Sequence, residues 1–515
     1  MKKSLLTRLL STLLSLLIVL TPICALGEDN PLDPNDPYTF DLFADWNWLT
    51  FDTFEGGICQ DYMREKTGIT INLTKATDEE QLDLMIASNT LPDLVVCSDT
   101  RKIQQLSNSD LCWPLQELID KYVPQWQIPE VEKNINAYFS EDGQYYALKN
   151  EFNTAEEIKN ASCLGFSIGQ FLVRNDLYQA IGAPKVANKD EFISLMRLVR
   201  EKYPDMQPLV FNPREYTAFG SMTGFDIVRP TDENGNLVLP ISDPTYREML
   251  QVINELYREN FITKENFSYT TNEQAYQGFL AGDVFMLASY SGNDEQMFTG
   301  KIRNVIPDAE VVLMPLLDNW KYTLPVSGWA ALFIPKSCSD PERAIKMLYW
   351  AKQKEPSVAL TYGYPGIDWE FDENGNIIAL ERFQKALAEG KKTATYRGMA
   401  FPLSADNFIT VNNGFYASAT DATKVIFDDI LKRSDVSNVI DLCYPKANTE
   451  LSFMYDDLRA LQNECFAKIC TSETSEEFNQ NYDEMMQIAF ENGLQEVNEY
   501  IGSTYKALCE QMNCQ

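Results

Sequence analysis

Histidine is missing from all 515 residues. Its absence removes the commonest general base, every Ser-His-Asp or Cys-His arrangement and most zinc sites. Basic residues are scarce as well: 43 Lys and Arg stand against 75 Asp and Glu, a net charge of −32. Nucleic acid and anionic membrane surfaces need Lys and Arg to hold them, so both are excluded as partners. A sugar, a peptide or a cation suits the chain better. There is no Cys-x-x-Cys, and Cys59, Cys97, Cys112, Cys163 and Cys338 are scattered. That speaks against a dense disulfide framework and for cysteine as a small buried hydrophobe. Cys465 with Cys470, and Cys509 with Cys514, are the pairs whose spacing merits inspection. Carboxylate chemistry survives these exclusions, yet among 75 acids chance pairs carry no information about glycoside hydrolysis.

What is present begins with a leader. Met1-Lys2-Lys3 with Arg8, followed by an apolar run through Leu20, has the charge and length of a secretory signal peptide, which places the protein outside the cytoplasm. Ala25-Leu26-Gly27 sets cleavage after residue 27, while Thr21-Pro22-Ile23-Cys24 resembles a lipoprotein box with the wrong residue before its cysteine. Lipid anchoring at Cys24 stays open. Residues 28–37 are polar and proline-rich and read as a surface tether.

The stretch from Phe40 to Asp99 organises the rest. Phe40–Ala44 and Gly68–Leu73 alternate apolar and polar residues, and Asp93–Cys97 is a short apolar run, which predicts three strands with helices between them. Thr77-Asp78-Glu79-Glu80 has capping-box spacing before a helix with Leu82, Met85 and Ile86 on one face, closed by Pro92. In a parallel α/β sheet a crevice opens where the strand order reverses, at the carboxyl ends of the strands. Trp46, Trp48 and Asp99 stand there. Indoles stack on sugar ring faces and a carboxylate accepts from hydroxyls, so the trio suits a polyhydroxylated ligand, although either tryptophan alone is as readily core.

Further along, Tyr145–Leu148 resembles a strand leaving the first lobe, and a second pattern starts at Phe171-Leu172-Val173. Phe192, Leu195, Met196 and Val199 mark one helix, and Asp243-Pro244 opens another with a stripe from Tyr246 to Tyr257. Tyr290 lies just past the strand Val284–Ala288, and Trp329 stands behind Gly328 at the start of a strand ending at Pro335. Tyr362–Gly366 with Asp368-Trp369 is a loop of aromatics and glycines, open to either a ligand or a tight-turn role. Asp-Glu-Asn-Gly-Asn occurs at Asp232–Asn236 and Asp372–Asn376; glycine is misplaced for a calcium loop, and Asn-Gly suits a type I′ hairpin instead. The last hundred residues read as helices.

In this order the elements resemble the extracellular solute-binding proteins of carbohydrate ABC transporters, the large group related to maltose-binding protein. Four pieces carry the resemblance over about residues 38–515: Glu65–Ile69 running to Leu91–Leu94; Tyr146–Leu148 before Val173–Leu177; Phe279–Val284; and Gly328–Ala330 with Pro335-Lys336 and Asp340–Ala344. The resemblance implies two α/β lobes closing on a ligand by a hinge, with the chain crossing between them more than once. It divides the chain into 38–150 and 325–400 in lobe one, and 151–324 and 401–515 in lobe two with the C-terminal helices. It further implies a monomeric, non-catalytic carbohydrate receptor at the cell surface that serves membrane permease subunits; no cofactor and no metal-ligating residue is assigned, and a structural metal ion stays open. The matching ligand residues are Trp46, Trp48, Asp99, Tyr290 and Trp329. Alternatives are the same fold binding a peptide or other non-sugar solute, or a secreted two-carboxylate glycosidase.

Overall fold

The computed structural model describes residues 30–166, 168–211, 213–290, 294–446 and 448–512. The leader, Cys24 and Cys514 lie outside them. Ten strands position the site: β1 (Tyr38–Ala44), β2 (Ile69–Lys75), β3 (Leu94–Cys97), β4 (Ala147–Lys149), β5 (Gly169–Arg174), β6 (Gln207–Phe211), β7 (Val284–Tyr290), β8 (Val311–Leu313), β9 (Thr323–Pro325) and β10 (Ala331–Phe333).

The first lobe is built on the sheet β2-β1-β3-β10-β4. β1 runs parallel to both β2 and β3, so the order reverses at β1, whereas β10 runs antiparallel to β3 and β4. One consequence governs the site. The carboxyl ends of β1, β3 and β4 and the amino end of β10 meet along one edge, with Ala331 opposite both Cys97 and Lys149. Phe40, Leu42, Ile71, Leu94 and Val96 form one core face, with Leu332 from the returning chain and Tyr62 and Met63 from the helix Ile58–Thr67.

The second lobe has the sheet β6-β7-β5-β8, in which β5 runs antiparallel to β7 and β8. The helices Lys189–Lys202 and Pro244–Arg258 cover it, the latter opened by Asp243, whose carboxylate accepts from the Thr245 N–H at 2.8 Å. The helices Glu450–Cys470, Ser475–Glu491 and Leu494–Met512 bury Leu458, Phe466, Tyr482, Met485 and Val497 in the same core.

Three chain segments cross between the lobes. Phe152 bridges Ser327, and Asn153 ties all three together: its N–H donates to the Val326 carbonyl at 3.0 Å, and its Oδ1 accepts from the Ile409 N–H at 3.0 Å. Leu403 and Ala405 pack in the first lobe's core and Phe408 in the second's, so a third segment joins the lobes here.

Several local expectations are corrected. Residues 30–37 lie against the first lobe instead of hanging free: Leu32 is half-buried, and Asp36 pairs with Arg343 at 2.6 Å. The helix after Thr77 starts at Gln81, whose Oε1 accepts from the Thr77 N–H at 2.9 Å, so Glu80 is not the capping partner. In both Asn-Gly hairpins only Gly235 and Gly375 have positive φ, so neither turn is type I′. The Asp232 and Asp372 carboxylates instead gather the N–H groups of the residues two and four places on. Trp369 and Tyr362 are core, and Asp368 is fully buried against Arg382 and Tyr396, so the aromatic loop is structural. Cys465 and Cys470 are unbonded, because positions five apart on one helix face different directions. Cys509 is also free.

Candidate ligand-binding site

β1 ends at Ala44 and continues as Asp45-Trp46-Asn47-Trp48 over the shared sheet edge. An ion pair anchors this loop: Lys102 donates to Asp45 at 2.8 Å and to the Glu79 carbonyl at 2.6 Å, with both charged side chains nearly inaccessible. Burial pushes the Asp45 carboxyl up, and Lys102 opposes that shift. Trp46 is 1% exposed, and its indole N–H donates to Ser98 Oγ at 3.2 Å. Its ring lies 5.3 Å from Trp48, 5.2 Å from Trp329 and 5.6 Å from Phe401. Trp48 and Trp329 are 55% and 40% exposed. The four rings form a platform that is rigid beneath and open above, an expensive arrangement in water unless it serves a ligand.

Beside the platform, between the lobes, lies a cavity of about 490 Å³, within the usual range for small-molecule sites. Phe139, Phe166, Tyr322, Phe408, Phe415 and Tyr444 supply aromatic walls, and Ser98, Lys149, Glu151, Asn412 and Asp441 supply polar groups. Trp329 borders it, and its indole N–H donates to Glu151 Oε1 at 3.0 Å. Burial raises the Glu151 carboxyl to about 7, helped by nearby Asp406 and opposed by the Trp329 hydrogen bond. Burial also raises Asp406, to about 6, against the pull of Lys352. Asp441 is raised by burial, opposed by a 2.6 Å hydrogen bond from Ser327 and by Lys149. Lys149 is itself lowered by burial, with Asp441 acting against that.

The structure thus brings Trp46, Trp48 and Trp329 together, with Trp46 as the buried support of the other two. Asp99 is exposed, and its carboxylate accepts from the Lys102 N–H at 3.0 Å, capping the helix Thr100–Leu106. Tyr290 ends β7 opposite Gly169, and its side chain lies outside the described part. Sequence reasoning missed Glu151, Lys149, Asp406, Asp441 and Phe401. The first two follow the exit strand at Leu148 directly, a signal that was available; the others come from loops without a pattern. Among the described residues no cluster of three or more acids or cysteines is disposed to hold a metal ion, and no helix is long and apolar enough to cross a membrane.

Two α/β lobes joined by three crossings around an aromatic-lined cleft define a hinged binding protein. The sequence matches the bacterial extracellular solute-binding protein family over residues 57–367, and the chain belongs to that family. No curated protein sequence matches it. Among solved structures, the alginate-binding protein AlgQ2 is similar at 18% identity, covering 93% of this chain and 98% of its own, with a TM-score of 0.70. The FusA substrate-binding protein of S. pneumoniae in complex with kestose shares 17% identity over 92% of this chain and all of its own, at 0.65. The N-glycan transport protein NgtS of Streptococcus pneumoniae, in complex with Man5GlcNAc, shares 14% over 92% and 99%, at 0.55. At these identities the likeness is one of fold.

Proposed function

We propose that the protein is a non-catalytic extracellular receptor that captures a carbohydrate between its lobes and delivers it to the permease of an ABC transporter. The observation that carries this reading is the platform of Trp46, Trp48, Trp329 and Phe401 opening beside an interlobe cavity with both hydrogen-bond donors and acceptors. Stacking on Trp48 and Trp329 would supply affinity, and Lys149, Asn412 and Asp441 would select among hydroxyl patterns. The sugars named for the similar structures agree with this chemistry. The lobes are taken as 38–150 with 325–405, and 151–324 with the remainder. The protein is taken to work as a monomer, exported by the leader at 1–27.

The glycosidase alternative finds little support in the carboxylates. Asp406 lies outside the cavity lining, and the pair that does line it, Glu151 with Asp441, is tested for turnover by the product chromatography below. The test is thermal unfolding against a panel of mono- and oligosaccharides, amines and peptides, with calorimetry and product chromatography on each hit. A ligand at a hundred times its dissociation constant stabilises by about 2.7 kcal/mol, a rise of about 2 to 3 °C at this chain length. A shift from a sugar without cleavage supports the receptor reading. Shifts from amines or peptides alone retain the fold and overturn the carbohydrate assignment.

A further inference from the structure

We propose that Glu151 is the positioning residue of the tryptophan platform: reaching from the first crossing, its carboxylate fixes the Trp329 indole on the second, and ligand affinity follows the ionisation of that carboxylate. The inference rests on the cleft's role as the ligand site and names the group that controls its strength.

Three observations carry it. Glu151 sits at φ +47°, a left-handed conformation that a residue with a side chain adopts only when its surroundings enforce it. The enforcement is visible next door, where Gly328 at φ +83° presses its backbone against the Asn150 carbonyl and so locks the first two crossings together. Trp329 is 40% exposed, its ring contacts are on the side of Trp46, Trp48 and Phe401, and its indole N–H is directed to Glu151. That hydrogen bond is the polar contact that orients a ring otherwise held through aromatic faces.

One charged group, Asp406, acts on the Glu151 carboxylate, and further charges stand around the pair. Asp406, on the third crossing, accepts from the Glu151 backbone N–H and repels its carboxylate. Lys352, after the helix Pro341–Ala351, donates to the Lys149 carbonyl at 3.0 Å and the Asp406 carbonyl at 3.4 Å. Lys149 and Asp441 share the cavity wall, and Glu132 stands nearby on the helix Glu130–Ala137, facing Lys352. Burial first and Asp406 second disfavour the Glu151 charge, against the Trp329 hydrogen bond, and raise its carboxyl to about 7. Ionised, it is a charge-assisted acceptor for the indole; protonated, it is a weaker one and competes as a donor. The platform is therefore held at pH 8 and loosened at pH 6.

The test has two arms. In the ligand-free protein carrying 5-fluorotryptophan, eight fluorine resonances are expected, that of Trp329 identified by its loss in Trp329→Phe. The Trp329 resonance should titrate with a midpoint near 7 in the wild type and stay constant in Glu151→Gln. In the second arm, calorimetry with the ligand found by the panel should show affinity rising about tenfold from pH 5.5 to 8.5, the worth of one charge-assisted hydrogen bond. Glu151→Gln should flatten this profile. Trp329→Phe, which keeps a stacking ring but has no N–H, should flatten it too and leave Glu151→Gln without further effect. A Trp329 resonance that does not titrate, or a Glu151→Gln protein with the wild-type pH profile of affinity, overturns the proposal. If no sugar binds, the carbohydrate reading fails while the fluorine titration still decides the role of Glu151.

Discussion

Replacing Gly328 with alanine probes the junction on which both the hinge and the platform depend. A Cβ added there would lie 2.1 Å from the Asn150 carbonyl oxygen and 2.9 Å from the Lys149 Cβ. The nearest atom is backbone of the neighbouring crossing, so no rotamer change relieves the contact and the two segments must part. Separation would strain the pairing of Asn150 with Ala330, in which the Ala330 N–H donates to Asn150 Oδ1 at 2.7 Å. The left-handed φ of +83° adds its own cost for a residue with a side chain, about 1 to 2 kcal/mol. Forced overpacking contributes about 1 to 3 kcal/mol more, for a total of about 2 to 5 kcal/mol. Gly143 provides the control: it has φ +73° but nothing within 4 Å of an added Cβ, so Gly143→Ala should show the backbone cost alone. Urea unfolding of the two variants, read as midpoint shifts against wild type, separates the two terms. Equal losses in Gly328→Ala and Gly143→Ala would refute the close approach of the crossings.

Trp48→Ala should weaken ligand binding about tenfold or more in calorimetry with an unchanged melting temperature, since Trp48 is 55% exposed. Trp46→Ala should instead cost about 3 to 5 kcal/mol of stability, because that ring is 1% exposed and supports the others. Lys102→Met strands the buried Asp45 carboxylate and should destabilise by about 3 to 5 kcal/mol in denaturant unfolding, while adding Asp45→Asn should recover most of the loss. Glu151 binds its proton more tightly folded, with its carboxyl at about 7, than unfolded, at about 4.3. Folding therefore takes up a proton between these values, and the stability linked to Glu151 falls as pH rises across them. Glu151→Gln should accordingly gain melting temperature over wild type at pH 8 and not at pH 4.

Much of this was legible from spacing. The strands around Phe40, Ile69 and Leu94, the cap at Asp243-Pro244 and the helix stop at Gly282 all follow local rules that need only a few neighbouring residues. So did the meeting of Trp46, Trp48 and Trp329, because strand ends on one sheet edge are fixed by topology. Asp99 has a second role that spacing did not announce, the cap of the helix Thr100–Leu106. A strand-end acid is equally a helix N-cap, and the helix Thr100–Leu106 is too short to announce itself by periodicity. The buried charges at the hinge were invisible because their meaning lies in burial and in partners far along the chain. Glu151 meets Trp329 and Asp406 only after the chain has crossed between the lobes three times.

The knot of hydrogen bonds at Asn153 has a mechanical consequence. A single linker would let the lobes roll, twist and slide against each other, and every such freedom would have to be surrendered when they close on a ligand. Three tethers side by side, laced through the backbone and side chain of one residue, resist torsion and lateral drift and leave a single swing. Closure then searches along one coordinate, and little orientational entropy is lost at capture. The lobes behave as a door on a continuous hinge, whose aromatic jamb is already in place before anything enters.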